Sequence, residues 1–405
     1  MKLLIADKFE RVGVDGLKEL GCSIVHQPDL TAEQIPAAMA EVDPGVLIVR
    51  GTRVSADTIR SGKSLGLIIR AGAGIDTIDV AAASAHGVFV ANCPGKNSVA
   101  VAELVMGLLL SCDRRIPDQV ADIRQGAWKK GEYSRARGLF GRTLGVVGLG
   151  QIGREVAKRA QAFGMPVAAW SRNLTVEMAE ELGVTYCDSP IEVARLSDAV
   201  SVNVAATAET KGMINAGFFA AMHPGSYFIN TSRGSVVDEA ALLDAVRTRG
   251  IRAGLDVFQQ EPVGSSGTTE NPLVREPGVY VTHHVGASTE QAQVAIAHEV
   301  IRIVAGFLEN GSVAHCVNRQ ARSTAAYVLS VRHKNRPGVL SHVFDVLAKR
   351  GINVEEVENI IYHGAQATLA RIHLDTKPDQ AAMDAIASGN ADVIKVDLTR
   401  LEDGA

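Results

Sequence analysis

Apolar residues along the first part of the chain fall in short blocks, KLLIAD, CSIVHQ, GVLIVR, LGLIIRAG and GVFVANCPG, and between them lie stretches with helical spacing, FERVGVDGLKELG and SADTIRSG. Short apolar runs bounded by Gly and Pro read as buried strands. Their alternation with helices predicts a parallel sheet covered on both faces. A stretch from Ser98 to Arg115 is small and apolar all round, which predicts a helix buried in a core or at a subunit interface. From Gly141 the alternation restarts, with TLGVVGLG, PVAAWS, AVSVNVA, SYFINTS, IRAGLDVF and GVYVTHH as strands and QIGREVAKRAQAFG, IEVARLS and DEAALLDAVRTRG as helices. Ser189-Pro190 is a helix start, with Ser at the cap and Pro in the first turn. The helix STEQAQVAIAHEVIRIVAGFLEN closes this block.

The pattern changes after a polar stretch, VNRQARSTAA, at 317–326. Strands YVLSVRH, NVEEVENIIYHG, QATLARIHLD and VIKVDLTRL alternate with helices VLSHVFDVLAKRG and PDQAAMDAIAS, spelling a ferredoxin-like βαββαβ unit. The expected fold class is therefore α/β, with two doubly wound parallel-sheet domains of Rossmann or flavodoxin type and a C-terminal ferredoxin-like domain. The 405 residues, 46% hydrophobic and 21% charged, suffice for two or three such cores.

Charge and cysteine usage narrow the function classes. A net charge of −4 and a pI near 6.3 exclude the basic footprint of a nucleic-acid surface. Five scattered cysteines, with no CxxC or Cys/His cluster, suit a reducing compartment and point to no metal and no disulfide framework. MKLLIADKF reaches Asp7 and Lys8 before a signal-peptide core forms, and VAVAELVMGLLLSC is split by Glu103 and too short for a bilayer. The expected location is the cytoplasm, with no membrane partner.

GLGQIG, Gly148–Gly153, follows a strand and opens a helix, the context that turns G-x-G-x-x-G into a dinucleotide signature. Gly148 permits the turn, Gly150 lets backbone approach a pyrophosphate, and Gly153 lets helix and strand close up; Gln151 and Ile152 lie at the helix N-terminus that faces the phosphates. The next strand ends on Ser171 and Arg172, where an acid for the ribose hydroxyls is the usual residue. Loss of the acid and gain of a guanidinium favour a 2′-phosphate. The cofactor is thus NAD(H) or NADP(H), leaning to NADP(H). The alternative is that Arg172 is a solvated or adenine-stacking residue and NAD(H) still binds.

Three later motifs carry chemistry: NTSRGSVVDEAAL with Arg233, GLDVFQQEP with Asp256 and Glu261, and VTHHVGAST with His284. A guanidinium can fork onto a carboxylate and its neighbouring oxygen, a histidine can exchange a proton near neutral pH, and a carboxylate beside a histidine fixes its ring. With these motifs the chain resembles the D-isomer-specific 2-hydroxyacid dehydrogenases over roughly residues 1–315. VRGTR, RAGAGIDTIDVAAA, NCPGKNSVAVAEL, GRTLGVVGLGQIGREVA and TAETKGMIN are similar to the 3-phosphoglycerate dehydrogenase branch. The resemblance implies Arg233, Glu261 and His284 as catalytic residues and Asp256 as a partner of the nicotinamide carboxamide. It implies Arg50, Arg70, Gly72 and Asn97 as substrate contacts; because a phosphorylated acid is strongly anionic, Arg50, Arg53, Arg70 and Lys96 are natural phosphate partners. The implied reaction is reversible hydride transfer between 3-phosphoglycerate and a nicotinamide cofactor, giving 3-phosphohydroxypyruvate, the first step of serine biosynthesis. The implied domains are a substrate-binding domain of 1–97 and 286–316, a dinucleotide domain of 98–285 inserted within it, a linker of 317–326 and a regulatory domain of 327–405. The hinges are expected near Asn97 and Val285. His283 stands where the family commonly has Pro; in an extended chain it would point away from the site.

The tail resembles an ACT domain, with His333, Asn335, Gly338 and Asn353 at the positions that bind serine in feedback-inhibited family members. L-serine is the implied effector and a homodimer or homotetramer the implied assembly, with a purely structural dimerisation domain as the alternative. The resemblance leaves two other functions open: a glyoxylate or hydroxypyruvate reductase, which Ser171–Arg172 would suit, and a non-catalytic, dinucleotide-sensing corepressor-like protein.

Overall fold

The computed structural model describes residues 1–262, 267–320 and 324–401. The chain forms two compact units, Met1–Asn318 and Arg319–Ala405. Within the first unit, strands β1 (Lys2–Ile5), β2 (Ser23–His26), β3 (Val46–Val49), β4 (Leu67–Arg70) and β5 (Phe89–Asn92) form a parallel sheet in the order β2-β1-β3-β4-β5. A second sheet comprises β6 (Leu144–Val147), β7 (Val167–Trp170), β8 (Thr185–Tyr186), β9 (Ala199–Val202), β10 (Tyr227–Asn230), β11 (Arg252–Leu255) and β12 (Val279–Val281). Its order is β12-β11-β10-β9-β6-β7-β8, all parallel, and the order reverses between β9 and β6, where such sheets bind ligands. Strands such as VLIV of β3 and YFIN of β10 are buried throughout, as expected for strands covered on both faces.

The helix expected at residues 98–115 spans Ser98–Arg114. Its inner face packs on the second sheet, where Ala102, Val105, Met106 and Leu109 share a core with Val146, Val156 and Ile229, while Val99, Glu103 and Arg114 stay exposed, so it is not buried all round as expected. At Ser189-Pro190 the Ser189 hydroxyl accepts from the Glu192 N–H at 3.2 Å, the cap the sequence predicts. The helices Ile35–Val42 and Ile116–Arg124 and the two-residue strand β8 escaped the periodicity reading, because short elements supply too few turns or alternations to register.

After the second sheet the chain returns to the first. Helix Glu290–Asn310 places Ile296, Val300, Ile303 and Val304 in one core with Leu3, Ile5 and Val46. The Val317 N–H donates to the Val90 carbonyl at 2.8 Å, and the Asn318 side chain binds the Val88–Val90 backbone, so residues 317 and 318 of the expected linker belong to this unit. Residues 321–323 of that linker and 402–405 of the tail lie outside the described residues. The second unit pairs β13 (Tyr327–Lys334), β14 (Val354–Ile361), β15 (Ala367–Leu374) and β16 (Val393–Arg400) in the antiparallel order β14-β15-β13-β16, with two helices, Val339–Ala348 and Gln380–Ser388. This is the βαββαβ pattern.

Glu299, on the returning helix, is 4% exposed and pairs with Lys96 at 3.1 Å, with His315 at 3.0 Å and with Arg302. Lys96, expected among the phosphate partners, is thereby committed to a buried carboxylate. The Arg302 hydrogen bond outweighs burial and, with Lys96, pulls the Glu299 carboxyl down to about 2. A carboxyl lowered by folding stabilises fully above its ordinary value near 4.5 and loses that contribution as pH falls towards about 2. Glu299→Gln is expected to cost about 3 kcal/mol at neutral pH. It should also flatten stability against pH between the two values, read by denaturant unfolding; an unchanged acid limb would refute the assignment.

Candidate active site

The functional side chains stand at the C-terminal ends of three adjacent strands, Arg233 after β10, Glu261 after β11 and His284 after β12. Asp256, one residue beyond β11 and 1% exposed, organises the last of these. Its Oδ1 accepts from the Thr282 hydroxyl at 2.6 Å and the Val285 N–H at 2.9 Å, and its Oδ2 accepts from the Gly286 N–H at 2.9 Å. The Asp256 carbonyl accepts the His284 N–H at 2.9 Å. Four bonds thus set the backbone of His284, whose φ is +54°. A non-glycine residue in the left-handed region costs about 1–2 kcal/mol, and histidine is among the residues enriched there.

The expected contact of Asp256 with a cofactor carboxamide would have to be made by a carboxylate that is 1% exposed and already accepts bonds from Thr282, Val285 and Gly286. The chain is not extended at His284, so strand alternation says nothing about where His283 points.

His284 Nδ1 and Glu261 Oε2 are 2.8 Å apart, and Glu261 Oε1 accepts the Phe258 N–H at 3.0 Å. An ionised carboxylate only accepts, so Nδ1 carries the proton and Nε2 is left for a ligand. The ring is half-exposed, as a proton-exchanging group must be.

Three guanidiniums gather nearby. Arg233 donates to Asp76, on the loop after β4, through Nε at 3.3 Å and Nη2 at 3.0 Å. Arg50 Nη2 donates to Ser288 Oγ at 3.1 Å, four residues beyond His284. Asp7 holds the Arg50 loop, its Oδ2 accepting the N–H groups of Arg50, Gly51 and Thr52 at 2.6–3.2 Å. Arg70 leans over Gly72, where a β-carbon would collide with its guanidinium. Burial first, then the charge of Arg233 with Arg50 behind it, holds Arg70 below its ordinary value. Burial alone would raise the Asp76 carboxyl, but hydrogen bonds and charge from Arg233, with Arg70, bring it below the usual range. Arg53 is exposed. Arg70 Nε, Asn97 Oδ1, Ser98 Oγ and Thr231 Oγ1 are buried without a hydrogen-bond partner, an arrangement that suits a polar ligand bound at the strand ends.

The Gly-rich turn also fits a dinucleotide. Gly148 has φ +97°, and a β-carbon at Gly153 would strike the Gly148 carbonyl, whereas one at Gly150 would meet open space on the side a phosphate would occupy. Gln151, Ile152 and Gly153 form the first turn of helix Gln151–Ala162, where N–H groups lack intrahelical partners. The Gln151 side chain lies against Gly95 and Ile152 packs on the apolar core, so both could meet phosphate only through backbone. Ser171 and Arg172 follow β7 directly, next to β6 and its turn. Arg172 is exposed and stands near Glu209, whose carboxyl is lowered first by the Thr207 hydroxyl, then by its own backbone N–H and by Arg172.

In the second unit His333 is buried, not presented to solvent. Its Nε2 lies 2.8 Å from the Thr368 hydroxyl and its Nδ1 2.8 Å from the Lys334 carbonyl, so both ring nitrogens are committed internally. Asn335 and Asn353 are exposed, and Gly338, at φ +89°, begins helix Val339–Ala348 with open space beside it. The sequence reading passed over Asp7, Asp76 and Ser288. Asp76 and Ser288 lie inside motifs quoted above, and the signal for Asp76 was an acid set in a Gly-rich loop just beyond Arg70.

Residues 106–286 match the D-isomer specific 2-hydroxyacid dehydrogenase NAD binding domain, and 329–389 match an AHAS small subunit-like ACT domain. The chain is 37% identical over 319 residues to the D-3-phosphoglycerate dehydrogenase of Methanocaldococcus jannaschii, covering 77% of this chain and 59% of that one. It therefore spans about three-fifths of the length of the curated relatives it matches. It is 31% identical, with a TM-score of 0.67, to an NADPH-dependent glyoxylate/hydroxypyruvate reductase from Sinorhizobium meliloti, covering 79% and 99% of the two chains. A cofactor (NAD+)-bound 3-phosphoglycerate dehydrogenase of Entamoeba histolytica is 25% identical with a TM-score of 0.66, covering 79% and 99%.

Asp256→Asn replaces an acceptor-only group with one that points an NH₂ at backbone N–H donors. Unfolding in denaturant should show a loss of about 2–3 kcal/mol. Wild-type stability would mean that the histidine loop holds itself.

Proposed function

Because the chain belongs to the D-isomer-specific 2-hydroxyacid dehydrogenase family, we propose that it is a D-3-phosphoglycerate dehydrogenase, interconverting 3-phosphoglycerate and 3-phosphohydroxypyruvate as the first step of serine biosynthesis. The observation that carries this reading is the His284–Glu261 pair standing, on adjacent strand ends, beside a cluster of three arginines. One arginine suffices for a simple 2-oxo acid; three suit a substrate with a carboxylate at one end and a phosphate at the other.

The nicotinamide cofactor would supply or accept the hydride at C2. Arg233 binds the substrate carboxylate and polarises the C2 oxygen. In reduction His284 Nε2–H gives its proton to that oxygen as the C2–H bond forms; in oxidation Nε2 takes it back. Glu261 keeps the ring oriented and balances its charge when both nitrogens are protonated. Arg50 and Arg70, with Gly72 and Asn97 beside them, hold the phosphate end. Residues 1–97 with 286–316 form the substrate-binding half and 98–285 the cofactor half, so closure about hinges near Asn97 and Val285 would exclude water.

Arg172 would favour NADP(H) through the 2′-phosphate, with Glu209 as a built-in competitor for its charge. This feature supports the second reading, an NADPH-using glyoxylate or hydroxypyruvate reductase. We assign serine binding in the second unit to Asn335, Gly338 and Asn353, without His333. The assembly we propose is a homodimer or homotetramer; Trp128 and Phe140, 79% and 85% accessible, are the most exposed large apolar side chains among the described residues. Five free cysteines support a cytoplasmic location, and among the described residues no helix is long and apolar enough to cross a membrane.

Initial rates with 3-phosphohydroxypyruvate and with hydroxypyruvate, each with NADH and NADPH, test the reading. The phosphorylated acid should have the higher kcat/KM; preference for the unphosphorylated acid would transfer the assignment to the reductase. Arg172→Ala should lower the NADPH to NADH ratio, and an unmoved ratio would make Arg172 a bystander. His284→Ala should lower kcat by about 10²–10⁴-fold while cofactor titration is unchanged. Retained turnover would remove its acid–base role. Asn335→Ala should weaken inhibition by L-serine at an unchanged uninhibited rate, and equal inhibition would remove Asn335 from the sensor.

A further inference from the structure

Asp76 follows β4 of the first sheet, yet its carboxylate meets a guanidinium carried by the second. Arg233 has five N–H groups in one plane. Nε and Nη2 give one each to Asp76, at 3.3 and 3.0 Å, and Nη1 gives one to the Ser232 carbonyl at 2.7 Å. One N–H on each Nη remains, a parallel pair directed away from the side chain that matches a carboxylate in two-point contact.

We propose that Asp76 is a positioning residue that turns Arg233 so that this outer fork faces the substrate. The inference rests on the reading of Arg233 as the group that binds the substrate carboxylate. Three further observations support it. Gly74, two residues before Asp76, has no side chain where a β-carbon would collide with Arg233 Nη2, so the loop makes room for the guanidinium. The positive charges of Arg233 and Arg50 act on Arg70, and the carboxylate of Asp76 offsets them there while it pairs with Arg233. Asp76 is also 58% exposed at its side chain, so the pair contributes little to folding, and orientation is what remains for it to supply. Glu261 stands to His284 as Asp76 stands to Arg233. The difference is that Asp76 comes from the opposite half, so the substrate fork is set only when the halves face each other.

Asp76→Ala, Asp76→Asn and Arg233→Lys would be compared by KM for 3-phosphohydroxypyruvate, KM for the cofactor, thermal midpoint, and calorimetric binding of oxalate to the NADH-loaded protein. Oxalate imitates the carboxylate and adjacent oxygen of a 2-oxo acid. For Asp76→Ala, KM for the oxo acid and Kd for oxalate should rise about 10–10²-fold, with cofactor KM and thermal midpoint unchanged. Asp76→Asn, which keeps one acceptor oxygen, should fall between Ala and wild type. Unchanged or tighter oxalate binding in Asp76→Ala, while Arg233→Lys loses it, would overturn the positioning role and leave the reading of Arg233 standing. A matching loss of cofactor affinity or thermal stability in Asp76→Ala would overturn it in favour of a structural role. Wild-type oxalate binding by Arg233→Lys would overturn both.

Discussion

The carboxylate of Asp256 is the constraint on which the site depends. Fully enclosed and acceptor-only, it can be stable there only if donors surround it, and the donors it draws in are the hydroxyl and backbone N–H groups of residues 282–286. Their convergence bends the chain at His284 into the left-handed region and aims the ring at Glu261. Asp7 repeats the device on the first sheet, gathering three backbone N–H groups so that Arg50 leaves its strand in a fixed direction. The ionisable groups proposed to touch substrate are cationic or proton-exchanging, while Asp7, Asp76 and Glu261, which hold Arg50, Arg233 and His284, are anions. That division keeps the net charge facing a substrate positive without leaving its carriers free to rotate.

The parallel sheets supply the frame for this arrangement. Arg233, Asp256 with Glu261, and His284 follow β10, β11 and β12, three neighbours in one sheet, so segments far apart in sequence emerge side by side. The Gly-rich turn follows β6, on the other side of β9, at the reversal of strand order. Helix Glu290–Asn310 carries the chain back to the first sheet, where Glu299 ties the returning helix to Lys96 beside Asn97.

Much of the frame was legible because it is written in local pattern. Fully apolar four-residue blocks such as VLIV and LGVV cannot be half-exposed strands, Ser189-Pro190 marks a helix start by its own chemistry, and Ser98–Arg114 is apolar over most of its surface, with Glu103 and Arg114 on the narrow face that meets water. The site was legible as a set of residue types in order, and less so as a set of roles. Asp256 and Glu261 look alike on paper; what separates them is that one is enclosed by the histidine loop and the other reaches the ring. His333 was expected at a ligand position only through the resemblance of its turn to serine-binding domains, whereas inward alternation along β13 carries it to Thr368. Asp76 and Arg233 are 157 residues apart, and no periodicity records such a pairing.

The left-handed backbone at His284 bears on how this position can vary. Backbone geometry there favours glycine or asparagine, neither of which can shuttle a proton near neutral pH. The proton transfer proposed for this position calls for an imidazole, and histidine is a residue type that meets both demands at tolerable strain. Position 284 is therefore isolated in sequence space: glycine and asparagine relax the backbone but carry no proton, and aspartate, which tolerates the same backbone, ordinarily exchanges its proton well below neutral pH. Any drift of this lineage towards a different proton carrier would have to begin at Asp256, by releasing the loop, before residue 284 itself could change.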